Sequence, residues 1–238
     1  MRHQGVDTLL DWCRARYGVR RLCDISWAHA VNSRERLLAA LSRDAMMVEC
    51  DVLTTGAGDI MLAHSPGDAS DMLLLEVLDI LRDERVGLKV DMKEPSAVYP
   101  TLDSLSRARL TCPVILNADI LNGPGGRPAL FEPGSFISAC KEQYEAGILS
   151  VGWTTTSDTQ EVYTEAQVSE MLALCRDCGS VAFPVRADLL PRSWPALSRL
   201  YSHEGAMLSL WGDIAEDGLA WLDRHLPDGN YLFDCALI

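Results

Sequence analysis

Met46-Met47-Val48-Glu49-Cys50-Asp51-Val52-Leu53 is an apolar run of strand length interrupted by two carboxylates two positions apart. Side chains alternate across a strand, so Glu49 and Asp51 project to the same side. Leu88-Lys89-Val90-Asp91-Met92-Lys93 repeats the device with Asp91 and Lys93, and Leu116-Asn117-Ala118-Asp119 repeats it with Asn117 and Asp119. Charges embedded in short apolar runs signal strands that are buried on both faces yet carry a polar site at one end.

Working outward, β-rich runs occupy 21–27, 46–53, 86–91, 113–119, 148–153, 180–185, 206–210 and 231–234. Amphipathic segments lie between them at 34–42, 72–83, 99–108, 134–146, 165–178, 194–200 and 216–224. This alternation predicts βα units. Ser33 is placed to cap the first of these helices, and Thr164 with Gln167 has the spacing of a capping box. Gly147, Gly179 and Gly205 each fall between a helical stretch and a strand, where a left-handed residue ends a helix. Eight strands with intervening helices in 238 residues predict an α/β fold, a single (β/α)8 TIM barrel over 1–238. No G-x-G-x-x-G follows the first strand, which disfavours a dinucleotide-binding sheet.

Composition narrows the function. The chain is 48% hydrophobic and 23% charged, with a net charge of −13, which excludes a disordered chain and disfavours a long nonspecific nucleic-acid track. No apolar run approaches the ~20 residues of a membrane span. The first residues lack the apolar core of a secretory signal, so the chain reads as soluble and cytoplasmic. The eight cysteines, with Cys23, Cys50 and Cys235 inside apolar runs, fit a reduced compartment; Cys175 and Cys178 form a lone C-x-x-C without a second pair or a neighbouring His.

In a TIM barrel the C-terminal strand ends ring the site. Carboxylates gathered there repel one another unless a cation sits among them, and oxygen-only ligands favour Mg2+ or Ca2+ over zinc. His29 follows the first strand and His64 a short apolar extension of the second, so the two are candidates for general acid and base. His3, His203 and His225 have no such setting.

The order His29, Glu49-x-Asp51, His64, Asp91-x-Lys93 resembles that of the glycerophosphodiester phosphodiesterase and sphingomyelinase D type of phospholipase-C-like barrel, over residues 21–93. A second resemblance spans almost the whole chain. Trp27-Ala28-His29-Ala30-Val31-Asn32-Ser33, Leu116-Asn117-Ala118-Asp119-Ile120-Leu121, Gly123-Pro124-Gly125 and Ser150-Val151-Gly152-Trp153-Thr154-Thr155 are similar to the FAM151 or menorin family. These resemblances imply Glu49, Asp51 and Asp91 as ligands of Mg2+ or Ca2+, His29 and His64 as acid and base, and Lys93 as the group that neutralises phosphoryl oxygens. They imply a phosphodiesterase acting by water attack or by cyclisation onto a substrate hydroxyl.

Asn117, Trp153, Arg186 and Trp211 are expected to line the mouth, with Arg186 able to grip a phosphate in fork geometry. The expected partner is a small lipid, nucleotide or sugar phosphodiester. The chain departs from the glycerophosphodiesterase pattern at His29-Ala30-Val31, where His-Arg-Gly is usual, and at His64-Ser65-Pro66, where an Asp follows the histidine; this calls a glycerophosphodiester substrate into question. Two other readings stand beside the enzyme: a non-catalytic recognition module on the same barrel, and an aldolase-type barrel with a Schiff-base lysine at Lys89 or Lys93.

Overall fold

The computed structural model describes residues 6–234. Cys235 and His3, named above, lie outside them. The chain begins with helix α1 (Val6–Tyr17). There follow strands β1 (Trp27–Ala28), β2 (Met47–Thr54) and β3 (Ile60–Leu62), with helix α2 (Arg34–Ser42) between the first two. From α3 (Leu74–Leu81) onward the order is strictly alternating: β4 (Gly87–Met92), α4 (Val98–Ala108), β5 (Val114–Asn122), α5 (Pro133–Gln143), β6 (Ile148–Thr154), α6 (Glu165–Leu174), β7 (Val181–Arg186), α7 (Leu190–Tyr201), β8 (Ala206–Trp211), α8 (Glu216–His225) and β9 (Tyr231–Asp234).

The parallel ladder runs β1-β2-β4-β5-β6-β7-β8-β9, with β3 pairing antiparallel on the end of β2. It forms the nearly closed eight-strand (β/α)8 barrel expected from the strand count. β9 lies against β1 at the seam without joining the ladder. Nearby, the Cys23 amide donates to the Gly229 carbonyl at 3.2 Å.

Strand parity divides the core in two. Val48, Cys50, Val52, Leu88, Val90, Leu116 and Ala118 face the helices in the outer layer. Trp27, Met47, Ile115, Ile148, Ala182, Met207 and Leu232 fill the barrel interior together with Leu9 and Cys13 of α1. That helix plugs the N-terminal end of the barrel. Gly87 stands in register with Met47, and a Cβ there would meet the Met47 sulfur at 2.1 Å; the missing side chain admits the thioether to the floor.

The helix starts are set by local chemistry. Ser33 Oγ accepts from the Arg36 amide at 3.3 Å, and Thr164 and Gln167 complete a capping box. Glu132 caps α5 through the amides of Gly134 and Ser135, with Pro133 at the first helical position.

Two expectations are corrected, and one element is added. The run 21–27 is a strand only from Trp27; before it, the Arg21 amide and guanidinium bind the Asp24 carboxylate and wind Leu22–Asp24 into a 3-10 turn. The segment before Gly18, unread in the sequence, is a helix. Gly179 and Gly205 are left-handed as expected, but Gly147 is not: its glycine is required because Leu116 packs within 2.7 Å of where a Cβ would stand. Among the described residues no helix is long and apolar enough to cross a membrane.

Leu9 is wholly buried in the barrel floor. Leu9→Ala is expected to lower unfolding free energy by about 2–5 kcal/mol, the range for emptying a packed Leu site. Urea denaturation followed by circular dichroism checks it; a change under ~1 kcal/mol, the level of a surface substitution, would show that α1 is not part of the floor.

Candidate active site

Above the apolar floor the interior turns polar. Glu49, Asp51 and Lys89 are buried inward-facing side chains of β2 and β4, joined by Asn117 and Ser150 of β5 and β6 and by Asp234 of β9. Because β2 and β4 pair Glu49 with Lys89 and Asp51 with Asp91, the two carboxylates of β2 are matched level by level on the next strand.

Glu49 is fixed by one oxygen. Its Oε2 accepts from the Ala30 amide at 2.7 Å and lies 3.3 Å from His29 Nδ1. Ala30 adopts a left-handed φ of 53°, a conformation disfavoured for alanine, and so turns its amide onto the carboxylate. The other oxygen, Oε1, is buried and has no hydrogen-bond partner among the described residues.

Asp51 is held on every side. Asn32 donates from Nδ2 at 2.6 Å and accepts the Asp51 amide at 2.9 Å, while Lys93 Nζ lies at 2.7 Å and His64 Nδ1 at 3.3 Å. β3 delivers that histidine, with the Ala63 amide donating to the Asp51 carbonyl at 3.0 Å. Asp91 takes Lys93 at 2.6 Å and Asn117 Nδ2 at 2.7 Å, and Ser150 Oγ donates to Asn117 Oδ1 at 2.6 Å. On the far side His29 Nδ1 donates to Asp234 Oδ1 at 2.8 Å, and Lys89 Nζ donates to Asp234 Oδ2.

The electrostatics follow from this wiring. Burial, with Asp51 and Asp234 as like charges, pushes Glu49 up to about 7. Burial acts on Asp51 in the same direction, but His64, Lys93 and Asn32 outweigh it and hold the carboxyl well below its usual range. Burial likewise opposes protonation of His29, yet the Asp234 hydrogen bond and the Glu49 charge lift it to about 9. The Asp51 hydrogen bond raises His64. Asp119, half-buried at the mouth, is raised to about 7 by burial and by Asp91. Burial works against the Lys89 and Lys93 ammonium groups, but neighbouring carboxylates overcome it and hold both charged, so neither presents the free amine that a Schiff base requires.

The oxygens of Glu49, Asp51 and Asp91 lie within 4.8 Å of one another, as do ligand atoms of His29, Glu49 and Asp234. An orphaned buried oxygen at the junction of these groups suits a hard cation, which would supply the contact Oε1 lacks.

Of the residues expected in the site, His29, Glu49, Asp51, His64, Asp91, Lys93 and Asn117 meet here. Asn117 is occupied in orienting Asp91 between β4 and β6. Trp211, half-buried at the end of β8, sits in register with Asp234. Of two further expected mouth residues, one lies in the helix layer and the other ends β7 in register with Trp211 but is engaged by the protein itself. Trp153 has the outward parity of β6 and is buried in the helix layer, edge-to-face on Tyr163 at 5.4 Å. Arg186 points its fork at its own loop: Nε and Nη2 bind Asp188 at 2.6 and 2.7 Å, Nη1 donates to the Thr156 carbonyl and Nη2 to that of Thr159 at 2.9 Å. It clamps the segment between β6 and α6, and four of its five donors are already taken.

Asp234 was not singled out in the sequence, although it ends the last apolar run just as Asp91 and Asp119 end theirs. Lys89 entered only as a Schiff-base candidate; its partner is that same Asp234.

The fold is that of a known class of barrels. A glycerophosphoryl diester phosphodiesterase from Parabacteroides distasonis ATCC 8503 superposes with a TM-score of 0.61 at 14% identity, covering 99% of this chain and 90% of that one. The glycerophosphodiester phosphodiesterase of Agrobacterium tumefaciens str. C58 gives 0.55 at 10% identity over 87% and 92%. Within this class residues 21–223 match the Menorin N-terminal domain, and the chain belongs to that family. Human Protein FAM151B is 32% identical over 226 residues, which are 89% of this chain and 82% of that protein.

The raised carboxyls make a pH prediction for metal-free protein. Folded values of about 7 stand above the ordinary values of 4.5 for Glu49 and 3.8 for Asp119, so the folded state binds protons more tightly. Their contribution to stability is complete below those ordinary values and is lost as pH rises through about 7. With chelator present the melting temperature is expected to fall between pH 5 and 7, and Glu49→Gln to flatten part of that slope. An unchanged slope in Glu49→Gln would show that Glu49 is not held protonated.

Proposed function

We propose that this barrel is a metal-dependent phosphodiesterase of the phospholipase-C-like kind, acting on a small lipid, nucleotide or sugar phosphodiester. The observation that carries the reading is the buried, unpartnered Oε1 of Glu49, set in a group of three carboxylates between two histidines. Glu49, Asp51 and Asp91 would hold Mg2+ or Ca2+. When bound, the ion offsets charge on the phosphoryl oxygens and polarises the phosphorus toward attack.

The protein's own groups divide the remaining work. Both rings use Nδ1 toward the protein, His29 toward Asp234 and His64 toward Asp51, so Nε2 is the atom each offers to a substrate. A cation on Glu49 would offset the charge that lifts His29 to about 9, so in the loaded site His29 would take the proton of the attacking water or substrate hydroxyl at Nε2, and His64 would give one to the leaving oxygen. Asp234 keeps the His29 ring in one orientation and stabilises the imidazolium that forms. Lys93, already between Asp51 and Asp91, presents its ammonium to the nonbridging oxygens.

Phosphodiester cleavage is the activity named for the structural neighbours, and this reading extends it to a family member whose first histidine motif differs. Every described cysteine is free, which fits the reducing, cytoplasmic setting we assign to the enzyme.

A panel of lipid, nucleotide and sugar phosphodiesters, assayed with Mg2+, Ca2+ or chelator, tests the function. Turnover is expected to require the ion, and His29→Ala to reduce kcat by ~10^2–10^4, the usual contribution of a general acid or base. Independently of turnover, saturating ion at about 100 Kd is expected to stabilise the wild type by ~2.7 kcal/mol. Asp51→Asn should lose that stabilisation. If the ion neither stabilises the wild type nor supports turnover of any diester, the proposal fails and the recognition-module reading takes its place.

A further inference from the structure

At the end of the barrel opposite the mouth, a groove of about 410 Å3 opens beside the starts of β6 and β7, lined among others by Cys140, Lys141, Asp177, Cys178 and Gly179. The C-x-x-C pair sits on its wall. Cys175 caps the C-terminus of α6 and is wholly buried, whereas Cys178 is half-buried and lines the groove.

The chain between them is a tight turn, with the Cys178 amide donating to the Cys175 carbonyl at 3.0 Å. Such a turn holds its end Cα atoms within ~7 Å, overlapping the ~4.4–6.8 Å span of a disulfide. The Cys178 thiol, near enough to Cys175 for the two to influence each other's ionisation, donates to the Leu174 carbonyl at 3.8 Å in the last turn of α6. Across the groove Lys141 Nζ is anchored on the Asp177 carbonyl at 2.8 Å, which fixes an ammonium one residue from Cys178.

From this arrangement, and independently of the site in the barrel mouth, we infer that Cys175 and Cys178 form a reversible redox site. Cys178 is the peroxide-reactive thiol and Cys175 the resolving one. The Cys178 thiolate attacks one peroxide oxygen; the S–O bond forms, the O–O bond breaks and the second oxygen leaves as water or alcohol after taking a proton. Cys175 sulfur then attacks Cys178 sulfur; the S–S bond forms, the S–O bond breaks and water leaves with the Cys175 proton. Two thiols and one peroxide thus give one disulfide, one water, and one further water or alcohol.

The remaining thiols make a contrast. Burial raises Cys13, Cys23, Cys50, Cys112 and Cys140 above the ordinary thiol range, whereas the neighbouring Cys175, with Lys141 assisting, brings Cys178 down to about 7. α6 contributes nothing favourable to that thiolate, because its C-terminal end carries the negative pole of the helix.

The test uses the full chain in chelator, treated with equimolar hydrogen peroxide and analysed by intact mass and peptide mapping after differential alkylation. A loss of ~2 Da localised to a Cys175–Cys178 bond, reversed by dithiothreitol, is expected. At pH 7, Cys178 should alkylate with iodoacetamide roughly tenfold faster than the other described cysteines. Cys175→Ser should leave a dimedone-trappable sulfenic acid at Cys178, and Cys178→Ser should leave Cys175 reduced; melting curves of both variants establish that they are folded. A disulfide through Cys140, oxidation of Cys175 in Cys178→Ser, or absence of the ~2 Da loss in the wild type would each overturn the inference.

Discussion

The Lys89–Asp234 ion pair is the interaction on which the rest of the molecule depends. Both groups are buried, one on β4 and the other on β9, and they meet inside the barrel. A charge left unpaired in such a place costs several kcal/mol, so the two strands must present these side chains inward and at one level. The demand propagates. A slip of one residue on β4 would send Lys89 and Asp91 to the helix layer, against the apolar faces of α3 and α4, and bring Val90 to the site. Glu49, Asp51, Asp91 and Asp234 with two ammonium groups therefore act as a register lock, and the chemistry of the mouth and the alignment of the strands rest on the same side chains.

Below that level the barrel is indifferent to chemistry. Trp27, Met47, Ile115, Ile148, Met207 and Leu232 need only fill space, and α1 closes the end with Leu9 and Cys13. Stability thus resides in the floor and the outer helix layer, while the polar upper level carries an ionisable group with a buried oxygen unpartnered among the described residues, beside a left-handed alanine.

Much of this was legible because both faces of a barrel strand are buried. In an open sheet an alternating carboxylate means solvent, but within the runs 46–53 and 86–91 it had to mean an inward polar site. His29 and His64 became readable through their order relative to those strands. Other features required tertiary context. α1 carries a short apolar stripe that acquires meaning only against the barrel floor, and in the run 21–27 apolar content suggested a strand where Asp24 binds Arg21 and turns the chain. Trp153 and Arg186 were placed by proximity to a strand end alone; parity with Ser150 sends Trp153 outward, and no sequence pattern announces that Asp188 and two loop carbonyls absorb the Arg186 fork.

The hydrogen bond from His29 to Asp234 joins residues 205 positions apart. It also spans the junction between β1 and β9, where no ladder runs among the described residues. Closing so long a loop is entropically slow and comes late in folding. The histidine therefore acquires its orienting carboxylate only when the last strand has docked, and a half-formed barrel, even with β2, β4 and their carboxylates in place, lacks the His29–Asp234 half of the polar cluster. Assembly of the polar cluster and completion of the fold arrive in the same event.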